Sequence, residues 1–127
     1  MTISTTQTIS VRPIALPAPG RGEDLLVHLT APTDGTDLPV IVFSHGYGAF
    51  GASMDSYRPL VDHWTAHGFV VVQPNHLDAQ GLSAGDPRND DLWRIRIRDL
   101  RQVIDRIAAS LGSVPGLGQR VDTGRLA

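Results

Sequence analysis

The sequence predicts an α/β fold with a mostly parallel sheet and flanking helices. Two short apolar runs, Val40 to Ser44 and Phe69 to Val72, are typical of parallel strands that are covered on both faces. Between them, apolar side chains recur at helical spacing from Tyr57 to Trp64. Strand, helix and strand in this order form a βαβ unit, and its right-handed crossover makes the two strands parallel.

The segment before these runs predicts two leading strands within residues 8–37. Residues 1–7 are polar, and we expect them to be flexible. Thr8 to Leu16 alternates loosely between apolar and polar residues. Pro13 within it favours an edge position, because proline cannot donate a hydrogen bond to a neighbouring strand. Asp24 to Thr30 predicts the second leading strand.

Residues 38–127 predict a βαβα core, and residues 1–127 together predict one domain. The helix from Tyr57 to Trp64 has Asp55 or Ser56 as its expected N-cap, and Gly68 as its expected stop.

The strongest periodic signal predicts a second, amphipathic helix over residues 90–111. A polar loop from Pro74 to Arg88 precedes this helix, residues 113–124 read as a glycine-rich linker, and Leu126 begins a further strand. The apolar positions of the helix are Trp93, Ile97, Leu100, Ile104, Ile107 and Leu111, and the expected capping residues are Asn89, Asp90 and Asp91.

The composition is that of an ordinary globular domain. The 127 residues are 41% hydrophobic and 19% charged, with a formal net charge of −2, which gives no general attraction for nucleic acid or anionic lipid. There is no cysteine, so thiolate metal sites and disulfides are excluded. No run is long enough to span a membrane, and no signal peptide is visible. We therefore expect a cytoplasmic protein with no metal, no cofactor, no nucleic-acid partner and no membrane partner.

The turn Ser44-His45-Gly46-Tyr47-Gly48 is the segment with the clearest chemical meaning. Acyl transfer builds negative charge on a carbonyl oxygen, and backbone N–H donors held in a dry site stabilise that charge. A loop at the carboxyl end of a parallel strand can aim such a donor where glycine lets the backbone turn sharply. The Tyr47 N–H, between two glycines, is the natural donor. An ordinary βα loop with glycines has the same composition, so both interpretations stay open.

Several segments together identify a fold by their order. They are the strand into His45-Gly46-Tyr47, the Tyr57 to Trp64 helix, Ala66-His67-Gly68-Phe69-Val70-Val71-Val72, the helix to Leu111, and Arg120-Val121-Asp122-Thr123-Gly124-Arg125-Leu126. In this order they resemble α/β-hydrolase serine esterases of the dienelactone hydrolase, chlorophyllase and bacterial polyester hydrolase kind. The resemblance implies the N-terminal half of an α/β-hydrolase fold. It also implies that the Tyr47 N–H is an oxyanion donor, with the Tyr47 ring flanking the substrate.

The same resemblance implies that the catalytic triad lies outside this chain. In this fold the nucleophile sits in G-x-S-x-G on the turn after the next strand, followed by Asp and then His. The literal match around Ser83 follows a polar loop rather than a strand, so we interpret it as a flexible loop. Ser44 is a poorer candidate still. Neighbours on a strand point to opposite faces, and Ser44 would therefore not meet His45.

His76 and Asp78 follow the second apolar run. Loops at the carboxyl ends of parallel strands line the active site in open α/β folds. We therefore expect this loop to shape access of the substrate, and His76 to contact the substrate together with Gly46 and Tyr47. A solvated loop without such a role is the alternative.

The sequence supports two functional hypotheses. The first is the N-terminal portion of a serine hydrolase that acts on carboxylic esters and supplies an oxyanion-hole loop. Its partners would be an ester substrate and the remainder of the domain, or a second chain that carries the triad. The second is a truncated, non-catalytic domain that binds a partner chain, because an unpaired strand beside Val40 to Ser44 would be an open hydrophobic edge.

Overall fold

The computed structural model describes residues 7–48 and 51–127, and these residues form a mixed five-stranded sheet with flanking helices. The α/β fold class is confirmed. Residues 1–6 of the segment expected to be flexible lie outside the described residues. The strands are β1 (Thr8–Leu16), β2 (Leu25–Pro32), β3 (Leu38–Val42), β4 (Val70–Asn75) and β5 (Val121–Leu126). The helices are α1 (Arg58–Ala66), α2 (Leu92–Asp105) and α3 (Ile107–Leu111).

The sheet has the strand order β1-β2-β4-β3-β5. The leading strands form its antiparallel half, because β1 pairs with β2 and β2 pairs with β4 in opposite directions. The other half is parallel, with β3 between β4 and β5. The predicted βαβ unit is present as β3, α1 and β4, and Pro13 lies on an edge strand as expected.

The centre of the sheet is fully buried, as the apolar run predicts. Val70, Val71 and Val72 of β4 have no exposed surface, because β2 and β3 flank this strand and helices cover it. The strand continues through two polar residues beyond its predicted end. Gln73 donates to the Ser56 carbonyl at 3.1 Å, and Asn75 accepts from the Met54 N–H at 3.0 Å. These bonds satisfy polar groups that would otherwise be costly to bury.

The start of α1 differs from the sequence prediction. Neither Asp55 nor Ser56 is the N-cap. Tyr57 occupies that position with a left-handed backbone (φ 68°, ψ 31°) and makes no side-chain capping bond. The Ser56 hydroxyl instead accepts from the Ser53 N–H at 2.9 Å, so the turn before the helix uses this side chain.

The helix predicted over residues 90–111 is two helices that break at Arg106, whose backbone leaves the helical region (φ −109°, ψ 22°). Asp91, one of the expected capping residues, occupies the N-cap position of α2, but its side chain makes no capping bond. Asp86 provides the cap one turn earlier. Its carboxylate accepts from the Arg88 N–H at 2.9 Å and begins the 3₁₀ turn Pro87–Asp91.

The apolar stripe of α2 does not face the core. Trp93 is 60% exposed and Ile97 is 49% exposed, whereas Ile95, Asp99 and Val103 form the buried face. The sequence therefore predicted the helical period correctly, but it did not predict which face of the helix packs against the core. A buried carboxylate cannot be recognised from hydropathy, and Asp99 faces inward because it pairs with polar groups described below.

The strand expected to begin at Leu126 begins at Val121, so the predicted linker ends before residue 121. This strand, β5, pairs with β3 and covers the edge that was expected to be open. Among residues 7–48 and 51–127, no helix combines the length and the apolar character that crossing a bilayer requires.

Two substitutions at adjacent residues can test which face of α2 packs against the core. Val103→Ala creates a cavity in the core and should lower the free energy of unfolding by about 2 kcal/mol. Ile104→Ala removes a larger side chain that is 44% exposed, and should change it by less than about 0.5 kcal/mol. Urea denaturation followed by circular dichroism measures both. A larger effect at Ile104 than at Val103 would contradict the observed helix orientation.

Candidate active site

The loops that follow β3 and β4 meet at the carboxyl ends of these parallel strands, the edge where open α/β sheets bind ligands. We call residues 43–48 the glycine loop. The His76 N–H donates to His45 Nε2 at 3.0 Å, and the two imidazole rings lie 4.9 Å apart. This backbone contact joins the loop after β4 directly to the glycine loop.

An ion pair between Arg96 and Asp78 holds the glycine loop from both sides. Arg96 lies on α2 and donates to Asp78 at 2.7 Å, to the His45 carbonyl at 2.9 Å and to the Gly46 carbonyl at 2.9 Å. Asp78 also accepts from the Gly48 N–H at 2.8 Å. Two carbonyls and one N–H of the loop are therefore fixed by one pair, which we call the Arg96–Asp78 clamp.

The charges at the clamp follow from this geometry. Burial alone would raise the pKa of the Asp78 carboxyl, but the hydrogen bonds from Arg96 and from the Gly48 N–H outweigh burial and lower it. Asp78 is therefore an anion at neutral pH.

His45 is held as a neutral imidazole. Burial lowers its pKa, and nearby His76 and Arg96 lower it further, while the hydrogen bond to the Gly46 carbonyl acts in the opposite direction. The hydrogen bonds agree with this charge state. Nδ1 donates to the Gly46 carbonyl at 2.6 Å, and Nε2 accepts from the His76 N–H.

Position 48 requires glycine because another backbone segment lies very close to it, and not because of its φ angle. A Cβ atom at this position would overlap the backbone of Asp78 and Ala79. The second glycine of the loop therefore permits the contact with Asp78 on which the clamp depends.

A group of aromatic residues lies next to the glycine loop. The Gly46 N–H donates to the Tyr57 hydroxyl at 3.0 Å, and the Tyr57 ring packs edge-on against Phe43 with centroids 5.0 Å apart. Trp64 packs against the same Phe43 ring at 5.4 Å. Tyr47 is 54% exposed, so its side chain is accessible from solvent beside this group.

Ser44, His76, Asp99 and Arg21 form a continuous chain of hydrogen bonds, which we call the relay. Ser44 Oγ lies 2.7 Å from His76 Nε2, and His76 Nδ1 lies 2.8 Å from Asp99 Oδ2. Arg21 Nε donates to the other Asp99 oxygen at 3.0 Å. A carboxylate only accepts hydrogen bonds, so His76 Nδ1 donates to Asp99, and Nε2 makes the bond with the serine hydroxyl. This is the connectivity of a Ser-His-Asp triad.

Burial argues against a catalytic use of the relay. His76 is 0% exposed, and Asp99 and Arg21 are also buried. A general acid must reach the leaving group of the substrate, and a fully enclosed imidazole cannot do so. The relay instead ties the base of the glycine loop to α2 and to the connection between β1 and β2. A cavity of about 240 Å³ lies beside Arg21 and Asp99, and no residue of the glycine loop lines it.

The structure places the predicted site residues as follows. Gly46 and Tyr47 lie on the glycine loop at the expected sheet edge. His76, the third residue expected to contact the substrate, has no exposed surface. As predicted, Ser44 does not bond to His45, and its hydroxyl bonds to His76 instead. The segment around Ser83 is irregular, and no strand leads into it.

Sequence reasoning missed Arg96, Asp99 and Tyr57. Arg96 and Asp99 could have been suspected only if α2 had been oriented correctly, because they lie on its inward side. Within the described parts of the chain, no group of three or more His, Cys, Asp or Glu side chains could hold a metal ion.

Comparison with known families agrees with this fold. The family profile described as chlorophyllase matches residues 3–105, which is most of the chain. The chain belongs to the chlorophyllase family. No curated protein sequence matches this chlorophyllase-family chain at a significant level.

Solved esterase structures share the fold of this chlorophyllase-family chain. A Lactobacillus plantarum WCFS1 protein assigned as a carboxylesterase matches 94% of it at 17% identity with a TM-score of 0.65. An esterase of Pyrobaculum calidifontis matches 95% at 21% identity (TM-score 0.56), and a bacterial heroin esterase matches 99% at 15% identity (TM-score 0.56). The chain spans 43%, 34% and 35% of these proteins, respectively.

The Arg96–Asp78 clamp gives a pH-dependent contribution to stability. Because the folded-state pKa of Asp78 is lowered, its contribution is present above the unfolded value of 3.8 and is lost as pH falls through the folded value. Asp78→Asn should therefore lower the free energy of unfolding by about 2 kcal/mol at neutral pH. The difference from wild type should shrink below pH 3.8.

Asp62→Asn is the matched control, because Asp62 forms an exposed pair with Arg58 and should contribute less than about 0.5 kcal/mol. Urea titrations between pH 2 and 7 measure both variants. A difference at Asp78 that does not change with pH would show that the carboxylate charge is not what matters.

Proposed function

We propose that this chain is the N-terminal portion of a serine hydrolase that acts on carboxylic esters. The glycine loop supplies the Tyr47 N–H as one donor of the oxyanion hole, and the Ser-Asp-His triad is carried by polypeptide outside this chain. The triad belongs to the remainder of the hydrolase domain or to a second chain. The substrate is an ester whose carbonyl oxygen lies against Tyr47.

The observation that carries this proposal is the fixation of the glycine loop. Stabilising an oxyanion requires donors that are already oriented before the reaction begins, since reorientation during the reaction costs free energy. The Gly46 N–H is bonded to Tyr57 and the Gly48 N–H to Asp78, while Arg96 holds the carbonyls of residues 45 and 46. The backbone on both sides of Tyr47 is therefore held in one orientation.

The relay and His76 support the same function indirectly. Ser44 is the second residue of the glycine loop, and its bond to His76 fixes the loop just after it leaves β3. We assign His76 to positioning, and Gly46 and Tyr47 to contact with the substrate. The exposed Tyr47 ring lies beside the bound acyl group in this proposal.

The donor role is tested in the complete enzyme by Tyr47→Pro, which removes the N–H. The substitution should lower kcat by about 10²-fold to 10³-fold, because one oxyanion donor is lost. Tyr47→Ala keeps the N–H and removes only the ring, so it should raise KM more than it lowers kcat. Hydrolysis of p-nitrophenyl acetate measures both, with the melting temperature checked for each variant. Equal kcat in Tyr47→Pro and wild type would refute the donor role.

A fluorophosphonate probe tests where the nucleophile lies, by comparing the complete enzyme with the 127-residue chain. The complete enzyme should be labelled on the serine of a G-x-S-x-G motif that lies outside residues 1–127, whereas the 127-residue chain alone should remain unlabelled. Peptide mapping that finds the label on Ser44 would show that the relay is catalytic. A label on Ser83 would overturn our interpretation of its loop.

A further inference from the structure

We propose that the Tyr57 hydroxyl is a second donor of the oxyanion hole, acting on the same ester carbonyl oxygen as the Tyr47 N–H. This inference rests on the proposed function and adds a catalytic residue that lies outside the glycine loop, at the start of α1. Tyr57 keeps its proton throughout the reaction. It stabilises developing charge by a hydrogen bond and forms no covalent bond to the substrate.

The hydrogen bonds of Tyr57 leave its proton available. A phenol hydroxyl can donate one hydrogen bond and can accept others. Among the described residues, the one hydrogen bond of the Tyr57 hydroxyl is with the Gly46 N–H, at 3.0 Å. The amide is the donor in that bond, so the hydroxyl accepts. Accepting a hydrogen bond also polarises the O–H group and makes it a better donor.

The Tyr57 hydroxyl is close enough to share an oxygen with Tyr47. Backbone nitrogens of neighbouring residues lie about 3 Å apart, with a variation of roughly half an ångström that depends on the dihedral angle ψ. The hydroxyl lies 3.0 Å from the Gly46 nitrogen, so it stands within about 6 Å of the Tyr47 nitrogen. Two donors that each lie about 3 Å from one oxygen satisfy this spacing. Tyr57 is 40% exposed, so a substrate can reach it.

The backbone of Tyr57 is held in a conformation that its residue type disfavours. Its φ of 68° lies in the left-handed region, where residues with a Cβ are uncommon. Such strained positions persist where the surrounding structure fixes them, and they concentrate at functional sites. The edge-on contact with Phe43 holds the Tyr57 ring next to the glycine loop. A tyrosine used only to begin a helix would not need this geometry, because Ser, Thr, Asp or Asn would cap it better.

The role of Tyr57 is tested by Tyr57→Phe in the complete enzyme. This change removes the hydroxyl and keeps the ring against Phe43. We expect kcat for p-nitrophenyl acetate to fall about 10²-fold with KM changed less than about twofold, because the lost bond strengthens only as charge develops. Trp93→Phe is the matched control. It changes an aromatic ring on the exposed face of α2 and should leave kcat unchanged.

A second variant separates donation from acceptance. Tyr57→3-fluorotyrosine makes the hydroxyl a stronger donor and a weaker acceptor. If Tyr57 donates to the carbonyl oxygen, kcat should hold or rise. If it only accepts from the Gly46 N–H, kcat should fall, and this fall would overturn the inference.

The outcomes also distinguish this inference from the proposed function. A loss of kcat in Tyr47→Pro together with unchanged kcat in Tyr57→Phe would overturn the role of Tyr57 and leave the oxyanion role of Tyr47 standing. If the wild-type complete enzyme hydrolyses no carboxylic ester and takes up no fluorophosphonate, both proposals fail.

Discussion

The ion pair between Arg96 and Asp78 is the constraint on which the candidate site depends. A loop with two glycines has no strong conformational preference of its own. Here its shape is imposed by a guanidinium that binds two of its carbonyls and a carboxylate that binds one of its N–H groups. The two charges come from different elements, since Arg96 lies on α2 and Asp78 follows β4. The loop therefore takes its shape only when the helix and the sheet are assembled.

The helix α2 carries two polar functions on one inward side, and this explains its unusual orientation. Arg96 reaches the glycine loop, and Asp99 lies one turn further along and completes the relay with His76 and Arg21. Removing one member of a buried ion pair leaves an uncompensated charge, which is strongly destabilising. These polar contacts fix the helix together with its buried apolar residues Ile95 and Val103, whereas Trp93 and Ile97 lie on the exposed side.

The sequence predicted the features that depend on local pattern. The parallel pair β3 and β4 follows from two apolar runs, and the position of the glycine loop follows from the strand that precedes it. Features that depend on long-range polar contacts could not be predicted. Predicting that Asp99 faces inward requires knowledge of its contact with Arg21, which lies far away in the sequence. Predicting Tyr57 at the start of α1 requires knowledge of its contact with Gly46, because capping propensity favours the polar neighbours of Tyr57, Asp55 and Ser56.

The exchange rate of the Gly48 amide hydrogen is the most direct measure of whether the ion pair holds the loop. Nuclear magnetic resonance can follow this amide in the wild-type chain and in Arg96→Gln. If the pair fixes the loop, the amide is protected in wild type and exchanges at least tenfold faster in the variant, while the amides of β4 are unchanged. An unprotected Gly48 amide in wild type, or equal protection in both proteins, would contradict the account.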